Sequence, residues 1–228
     1  MRFPIKIDAV AFDLDGTLVD TLPDLHEAAN RMLAEFERPA VTASAVREYV
    51  GDGVDSLVKR LLTGDPGGEP DAAAFVRAGN VFRGHYSRVL SRASRPFPGV
   101  VEGLQAMRRC GLSLACITNK PANFTNPLLR DVGLAQYLDL ILSGDSLPRR
   151  KPDPLPLLHC ARVFAVPVSR LLMIGDSPND TQAARTAGCP VFCVPYGYRG
   201  ALGVHELDCD AIVPALHDAM KLIEIPRS

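Results

Sequence analysis

Short apolar runs alternate with longer segments of helical periodicity along most of the chain. The segment VAFDLDGTLVDT (residues 10–21) opens on such a run, and four more occupy residues 112–118, 138–143, 171–176 and 190–194. Between them, apolar residues recur with the period of an α-helix at 101–109, 122–132, 155–164 and 179–187. Runs this short are typical of buried strands. The alternation therefore predicts right-handed βαβ units and a parallel sheet.

Residues 21–92 interrupt this alternation. They contain three helical patterns, at 22–37, 54–62 and 71–90, and no convincing strand. A Gly/Pro-rich stretch at 64–70 separates the second pattern from the third. We therefore predict an α/β fold with a Rossmann-like parallel sheet core, formed by residues 1–20 and 93–228, and an inserted helical cap domain of residues 21–92.

Composition and charge narrow the possible functions. The chain has 228 residues, 47% of them apolar, which is enough to bury a full core. A net charge of −1 argues against a broad electrostatic surface for nucleic acid or anionic membrane. No stretch approaches the roughly 20 apolar residues of a membrane span. The six cysteines are scattered without a CxxC pair, as expected for reduced thiols. These features predict a cytoplasmic protein without nucleic-acid or membrane partners.

Two carboxylates at the end of the first apolar run suggest a metal-dependent reaction. Side chains two apart on a strand share a face, so Asp13 and Asp15 are expected to project toward one spot. Gly16 lets the chain turn sharply after them, and Thr17 follows. Two adjacent like charges need a cation, and carboxylates without His or Cys neighbours suit Mg²⁺. The alternative is an Asp-rich turn without chemistry.

Further polar residues follow other predicted strands. In a parallel sheet the carboxyl ends of the strands share one edge, so Thr118 and Asp176 are expected near Asp13. Thr118 presents a hydroxyl at this edge, with Asn119 beside it, and the motifs described below imply that both bind phosphoryl oxygens. Thr118 could instead cap the helix predicted near residue 121. Asp176 and Asp180, four apart with Ser177 between them, are expected to converge at a helix N-terminus.

Lys151 stands in a basic segment, after Arg149 and Arg150. Taken alone, this segment is typical of a solvated basic loop. Its functional interpretation depends on the motifs described next: together with them, Lys151 is the candidate to neutralise a phosphoryl group and to orient Asp13.

Four segments, in this order, resemble the motifs of the haloacid dehalogenase superfamily: DLDGT (13–17), ITNK (117–120), KPDP (151–154) and IGDSPND (174–180). The resemblance covers essentially the whole chain. It implies a Mg²⁺-dependent phosphatase in which Asp13 is the nucleophile and Asp15 the general acid/base. It also implies a magnesium ion held by the Asp13 carboxylate, the Asp15 backbone carbonyl and Asp176. Catalytic roles for Thr118 and Lys151 follow, with Gly16, Thr17, Ser177 and Asp180 in support.

The cap and the C-terminal region are similar to the phosphoglycolate phosphatase branch of that superfamily. Residues 47–53 (REYVGDG) resemble its specificity loop, and residues 187–190 and 196–198 its later segments. This resemblance implies that the cap closes over the site and that the substrate is 2-phosphoglycolate. Gly51 would allow close approach to a small ligand. Arg47 would bind the substrate carboxylate, unless it is a surface residue.

Several functions remain open within this reading. A sugar-phosphate or amino-sugar-acid phosphate phosphatase, a pyrophosphatase and a β-phosphoglucomutase-like phosphomutase would carry the same motifs. A phosphate-binding regulatory module is the alternative of a different class, but loss of Asp13 or Asp15 would mark it, and both are present. The expected partner is a small phosphorylated metabolite, and the chain is expected to be a monomer or homodimer.

Overall fold

The computed structural model describes residues 3–198 and 203–225, so the outermost residues of the predicted core, 1–2 and 226–228, lie outside the described residues. The strands are β1 (Ile5–Lys6), β2 (Ala9–Phe12), β3 (Val19–Asp20), β4 (Arg95–Pro96), β5 (Ser113–Ile117), β6 (Leu140–Leu142), β7 (Leu171–Gly175), β8 (Val191–Cys193), β9 (Ala211–Ile212) and β10 (Ile223–Glu224). The α-helices are α1 (Leu22–Glu35), α2 (Ala43–Tyr49), α3 (Val54–Thr63), α4 (Ala72–Val89), α5 (Val100–Arg109), α6 (Ala122–Asp131), α7 (Leu155–Val163) and α8 (Pro178–Ala187).

A six-stranded sheet of order β6-β5-β2-β7-β8-β9 forms the core, and all its pairs are parallel. This confirms the predicted α/β class, and the five predicted strands correspond to β2, β5, β6, β7 and β8. The sequence analysis missed β9, because a two-residue strand leaves no apolar run. The central strand β2 lies between β5 and β7. The ends of these three strands are therefore neighbours at the carboxyl edge of the sheet.

Both faces of β2 are buried, which explains its continuous apolar sequence. Val10 and Phe12 belong to one cluster, together with apolar residues of α5 and α6. Ala9 and Ala11 belong to another, with residues of α7 and α8. The small side chains on the second face allow those helices to pack closely against the sheet. Because β2 is packed on both faces, the residues that follow Phe12 have a defined position at the carboxyl edge of the sheet.

Helices α1 to α4 pack around a separate apolar cluster, which includes Met32, Val58 and Phe82 and to which α6 adds Phe124. No strand occurs between β3 and β4, a span that the structure describes completely. The structure adds α2, whereas the sequence analysis treated residues 47–53 as one loop. Thr42 accepts a hydrogen bond from the Ala45 N–H and caps this helix. Only residues 50–53 therefore form a loop.

The two chain segments that join these helices to the sheet are held together. Strands β3 and β4 form a short antiparallel pair. The buried Asp24 carboxylate, in the first turn of α1, accepts hydrogen bonds from the N–H groups of Ala93 and Ser94 and from the Ser94 hydroxyl. This contact ties the segment that enters the helices to the one that leaves them. No helix among the described residues is long and apolar enough to cross a membrane.

Candidate active site

Asp13 lies directly after β2 and continues its register. Its backbone N–H donates to Ile174 O of β7 at 3.0 Å, and its carboxylate lies 2.9 Å from the Lys151 ammonium. Burial raises the pKa of Asp13 to about 7, although the ammonium opposes the rise. The carboxylate therefore needs nearby cations to be ionised, and Lys151 supplies one.

Lys151 is 2% exposed, so the solvated-loop interpretation is wrong for this residue, although Arg149 and Arg150 are exposed. Its Nζ contacts one oxygen of Asp13 and, at 2.6 Å, Oδ1 of Asp180. Burial alone would lower the pKa of Lys151, but these two carboxylates raise it above its usual range. The Lys151 ammonium is thus kept charged by two carboxylates, that of Asp13 after β2 and that of Asp180 in the first turn of α8.

Asp180 organises the turn from β7 into α8. Its Oδ2 accepts hydrogen bonds from the N–H groups of Asp176 and Ser177 and from the Ser177 hydroxyl, while Oδ1 faces Lys151. Helix α8 begins at Pro178, one residue before the predicted start. The carboxylates of Asp176 and Asp180 do converge at this helix start, with one oxygen of each within 4.8 Å of the other.

Each carboxylate oxygen of Asp176 accepts one hydrogen bond from the chain around it, which leaves a further lone pair on each oxygen. The Thr17 hydroxyl donates to its Oδ1 at 2.6 Å, and the Tyr198 N–H donates to its Oδ2 at 2.5 Å. A Cβ at Gly16, whose φ is +89°, would lie 2.6 Å from the same carboxylate, so glycine is required there. Burial and the neighbouring acids raise the pKa of Asp176 well above its usual range.

Asp13, Asp176 and Asp180 form an acidic cluster in which one carboxylate oxygen from each lies within 4.8 Å of the others. Three buried carboxylates so close together repel one another, and an all-oxygen donor set fits a hard dication such as Mg²⁺. The Asp15 side chain is not part of this cluster, and its predicted contribution was its backbone carbonyl. Because Asp180 already binds Lys151 and the turn, Asp13 and Asp176 are the better ligand candidates.

Asp15 turns toward a different cation, Lys120, which the sequence analysis quoted in a motif without a role. The Lys120 ammonium lies 2.8 and 3.0 Å from the two carboxylate oxygens, and the Thr21 hydroxyl donates to Oδ1 at 2.6 Å. The Lys120 side chain is 3% exposed. Lys120 lies three residues after β5, and this position near the carboxyl edge of the sheet could have identified it as a candidate site residue.

A small cavity of about 30 Å³ lies between the sheet edge and helices α1 and α3. Its lining comprises Asp13, Asp15, Leu25, Val50, Gly51, Gly53, Val54, Leu57, Thr118, Asn119 and Lys120. Thr118 is buried and its Oγ1 accepts a hydrogen bond from the Lys120 N–H. Helix α6 begins at Ala122 after Pro121, without a side-chain cap, so Thr118 does not cap it.

The loop of residues 50–53 is tied to the sheet edge by two asparagines. Asn119 donates to the carbonyls of Gly51 at 3.0 Å and of Lys151 at 2.9 Å, while its buried Oδ1 has no hydrogen-bond partner. Asn179 donates to Asp52 Oδ1 at 2.7 Å and to the Gly51 carbonyl at 3.3 Å. Both amide hydrogens of Asn119 are therefore used, which disfavours its predicted contact with phosphoryl oxygens. The sequence analysis did not single out Asn179.

Arg47 lies outside the cavity lining, on the exposed face of α2. Adjacent helical residues point in different directions, and here Val46 takes the buried position. The Arg47 guanidinium lies 5.5 Å from the centre of the Tyr198 ring. The structure thus brings Gly51 to the cavity but leaves Arg47 on the surface.

Comparison with known proteins places this geometry in a family. The haloacid dehalogenase-like hydrolases match residues 7–188. The chain is 57% identical over 221 residues to a phosphoglycolate phosphatase of Thiobacillus denitrificans, covering 97% of each chain, and 52% identical to one of Nitrosospira multiformis, covering 98% of this chain and 99% of the relative. It also matches the crystal structure of a "predicted phosphoglycolate phosphatase" from Haemophilus somnus 129PT, with a TM-score of 0.89, 33% identity, and coverage of 94% of this chain and 97% of that one. The resemblance drawn from the motifs is confirmed, and the chain belongs to the haloacid dehalogenase-like hydrolases.

Proposed function

We propose that this chain is a Mg²⁺-dependent phosphomonoester hydrolase that converts 2-phosphoglycolate and water to glycolate and phosphate. The observation that carries the reaction type is the Asp13 carboxylate beside the cavity, with the Lys151 ammonium 2.9 Å away and two further carboxylates within 4.8 Å. The substrate is proposed from the phosphoglycolate phosphatases that share 57% and 52% of its sequence. Residues 21–92 act in this proposal as the cap.

In the first half of the reaction, a carboxylate oxygen of Asp13 attacks phosphorus. The bond between phosphorus and the substrate's ester oxygen breaks, and its electron pair goes to that oxygen. Asp15, on the same cavity, enters this step in its protonated form and supplies the proton that turns the departing alkoxide into the hydroxyl of glycolate. Lys151 neutralises the equatorial phosphoryl oxygens, and the Thr118 hydroxyl, which accepts from the Lys120 N–H, still has its own hydrogen to donate.

In the second half, water attacks the phosphorus of the aspartyl phosphate. Asp15, now ionised, takes a proton from this water, and the bond between phosphorus and Asp13 breaks. Its electron pair restores the Asp13 carboxylate, and inorganic phosphate leaves. Asp15 therefore gives one proton and recovers one, so the chain ends the cycle unchanged.

Asp13, Asp176 and the Asp15 backbone carbonyl would hold the magnesium ion, with Asp180 in support. Bound there, it would offset the negative charge that separates a carboxylate nucleophile from a phosphate. Lys151 and Asp180 keep their own ion pair beside it, which fixes the orientation of the lysine.

The lining of the cavity, rather than its volume, bears on the substrate. With the helices in this position the cavity of about 30 Å³ has room for no more than a water or two, so entry of any phosphomonoester requires the helical segment to move outward. Apolar side chains and the backbone of residues 50–54 cover one side. The substrate carboxylate would lie toward this side, since the phosphoryl group occupies the end near Asp13. Cytoplasmic location and a monomeric or homodimeric state remain predictions from the sequence.

A phosphate-release screen over a few dozen phosphometabolites with Mg²⁺, ranked by kcat/KM, tests the proposal. The highest value is expected for 2-phosphoglycolate. A higher value for a sugar phosphate, an amino-sugar-acid phosphate or pyrophosphate would replace the substrate while leaving the reaction type in place. Conversion of glucose 1-phosphate to an isomer without phosphate release would identify a mutase. Phosphate binding without turnover of any compound would contradict the reaction itself.

A further inference from the structure

The ion pair between Lys120 and Asp15 differs from the other ion pairs at the cavity. Lys151 is shared between two carboxylates, whereas Lys120 forms its ion pair with Asp15 alone among the described residues. Its ammonium contacts both oxygens of that carboxylate, at 2.8 and 3.0 Å. Thr21, just before α1, holds Oδ1 from another direction. Together these contacts fix the rotation of the Asp15 carboxylate.

The Lys120 ammonium also contacts the helical segment. The ring centre of Tyr86, in α4, lies 4.9 Å from Nζ, within the range of a cation–π contact. That ring stacks against Phe82 of the same helix and packs against Phe124 of α6, at centroid distances of 5.7 and 5.0 Å. Lys120 is therefore enclosed between a carboxylate of the core and an aromatic ring of the cap.

Stability alone does not account for this arrangement. A buried ion pair loses about as much hydration energy as it gains in attraction, and apolar residues of similar volume often serve the fold as well. Asp15 also remains on the cavity surface, with 13% of its side chain exposed. The ion pair thus holds the Asp15 carboxylate at the cavity. Through Lys120 it also links that carboxylate to Tyr86 of the helical segment.

We propose that Lys120 is a positioning residue that holds the Asp15 carboxylate toward the substrate's ester oxygen, and that Tyr86 makes this positioning depend on the cap lying over the core. The inference deepens the proposed function and rests on it. It assigns Lys120 no contact with the substrate. Its effect should appear only in steps that need the proton carried by Asp15.

Two substrates of similar size separate this role from a general loss of structure. The ester oxygen of 2-phosphoglycolate leaves as an alkoxide and needs a proton, whereas acetyl phosphate releases acetate, which needs none. The ratio kcat/KM reports the steps up to departure of the leaving group. Damage to folding or to phosphate binding lowers kcat/KM for both substrates equally. A misplaced Asp15 lowers it for 2-phosphoglycolate alone.

In Lys120→Met, we expect kcat/KM for 2-phosphoglycolate to fall roughly 10- to 100-fold, part of the value of a complete general acid. For acetyl phosphate we expect a change of less than about threefold, since proton donation is the only contribution removed. Lys120→Gln retains a hydrogen-bond donor for Asp15 and should show the same selective loss to a smaller extent. If Lys120→Met does not fold, Lys120→Gln tests the positioning role in its place. Tyr86→Leu should show a weaker loss of the same kind.

Lys59 provides a matched control. Its ammonium contacts both oxygens of Glu69 and lies 5.5 Å from the ring centre of Phe75, but this arrangement is within the helical segment and away from the cavity. Lys59→Met should leave the ratio of the two kcat/KM values unchanged. A double-mutant cycle adds a second control: Lys120→Met should cost little once Asp15 is Asn, because the lysine acts through that carboxylate.

Equal losses on both substrates, no loss on either, or full additivity of Lys120→Met with Asp15→Asn would each overturn the positioning role. If Tyr86→Leu left the ratio unchanged, the dependence on the cap would be rejected. Absence of phosphate release by the wild-type chain from every phosphomonoester would instead reject the proposed function, and the role of Lys120 with it. Failure of the inference alone is recognised by an active wild-type enzyme and an unchanged ratio.

Discussion

The sheet edge and the helical segment face the same cavity, but they contribute to it in different ways. From the sheet edge come charged side chains, each held by a partner from another loop, as Asp13 is by Lys151 and Asp15 by Lys120. The helical segment contributes apolar side chains, such as Leu57, and the backbone of the loop at Gly51. In the proposed function, the reaction therefore depends on the identity of the sheet-edge side chains, and substrate selection on the shape of the loop that covers them.

The two regions also differ in what their ion pairs contribute. Removing one partner of the Lys151–Asp180 pair, both at most 1% exposed on their side chains, would leave a buried charge, at a cost of about 3–5 kcal/mol. The Lys59–Glu69 pair, with Glu69 74% exposed, is worth about 0–1 kcal/mol. Mutations that leave a buried charge at the sheet edge without any partner should therefore affect both activity and folding, and most mutations in the helices should not.

The largest effect is expected from Asp13→Asn. Loss of the nucleophile should lower kcat by at least about 10³-fold and prevent acid-stable capture of phosphate on the protein. The amide is nearly the same size as the carboxylate, so thermal unfolding should change little by comparison. Turnover near that of the wild type would contradict the mechanism and, with it, the claim that the sheet edge carries the chemistry.

Metal removal should rank next. Exhaustive treatment with EDTA should abolish phosphate release, and added Mg²⁺ should restore it, because the Asp13–Asp176–Asp180 cluster offers only oxygen. Asp176→Ala should raise the Mg²⁺ concentration for half-maximal activity by at least about tenfold. Asp208→Ala, which removes an exposed carboxylate paired with Arg185, is the control and should leave it unchanged. Full activity after chelation would exclude a metal role for the cluster.

The sheet edge was largely predictable because its residues follow strands. A buried parallel strand appears in the sequence as an apolar run, and the residue after it must lie at the carboxyl edge. Asp13, Thr118 and Asp176 were located in this way, and their neighbours Lys151 and Asp180 through the family's motifs. Lys120 and Asn179 stood inside those motifs without a role, since their partners, Asp15 and Asp52, are distant in sequence.

The helical segment was less predictable for a related reason. Helix α2 has only seven residues, too few for a clear apolar period, so Arg47 was assigned to a loop. One helical step moves Arg47 away from the direction of the buried Val46. The pairing of Asp24 with residues 93 and 94, about 70 positions away, likewise leaves no local pattern.

Asn179→Ala tests the contact between the two regions and should have an intermediate effect. It removes hydrogen bonds to Asp52 and Gly51 that hold the loop over the cavity. Hydrogen bonds from Asn179 and Arg60 keep the pKa of Asp52 below its usual range despite partial burial, so the acceptor is charged. A hydrogen bond to a charged group is worth about 1.5–3 kcal/mol, and water replaces part of this once the contact is lost. We therefore expect kcat/KM to fall roughly 3- to 15-fold.

Asn30→Ala is the control for that experiment. Asn30 makes comparable hydrogen bonds with the backbone of Val41, but entirely within the helical segment. It should lower the midpoint of thermal unfolding while changing kcat/KM less than Asn179→Ala does. The reverse order would mean that closure of the loop does not depend on the sheet edge.

The smallest effect is expected from Arg47→Ala, which separates the structural position of Arg47 from the role predicted by resemblance. If Arg47 bound the substrate carboxylate, its loss would cost about 1.5–3 kcal/mol, or roughly 10- to 150-fold in kcat/KM for 2-phosphoglycolate but not for a neutral phosphoester. Its exposed position over the Tyr198 ring predicts instead a change of less than about threefold on both substrates, in line with an exposed cation–π contact of about 0.5–1 kcal/mol. Arg77→Ala, which removes a guanidinium 4.4 Å from the centre of the Phe36 ring, is the matched control and should behave alike. A selective loss on 2-phosphoglycolate in Arg47→Ala alone would show that α2 turns this side chain into the cavity when substrate binds, and that the helical segment, too, selects through a charged side chain.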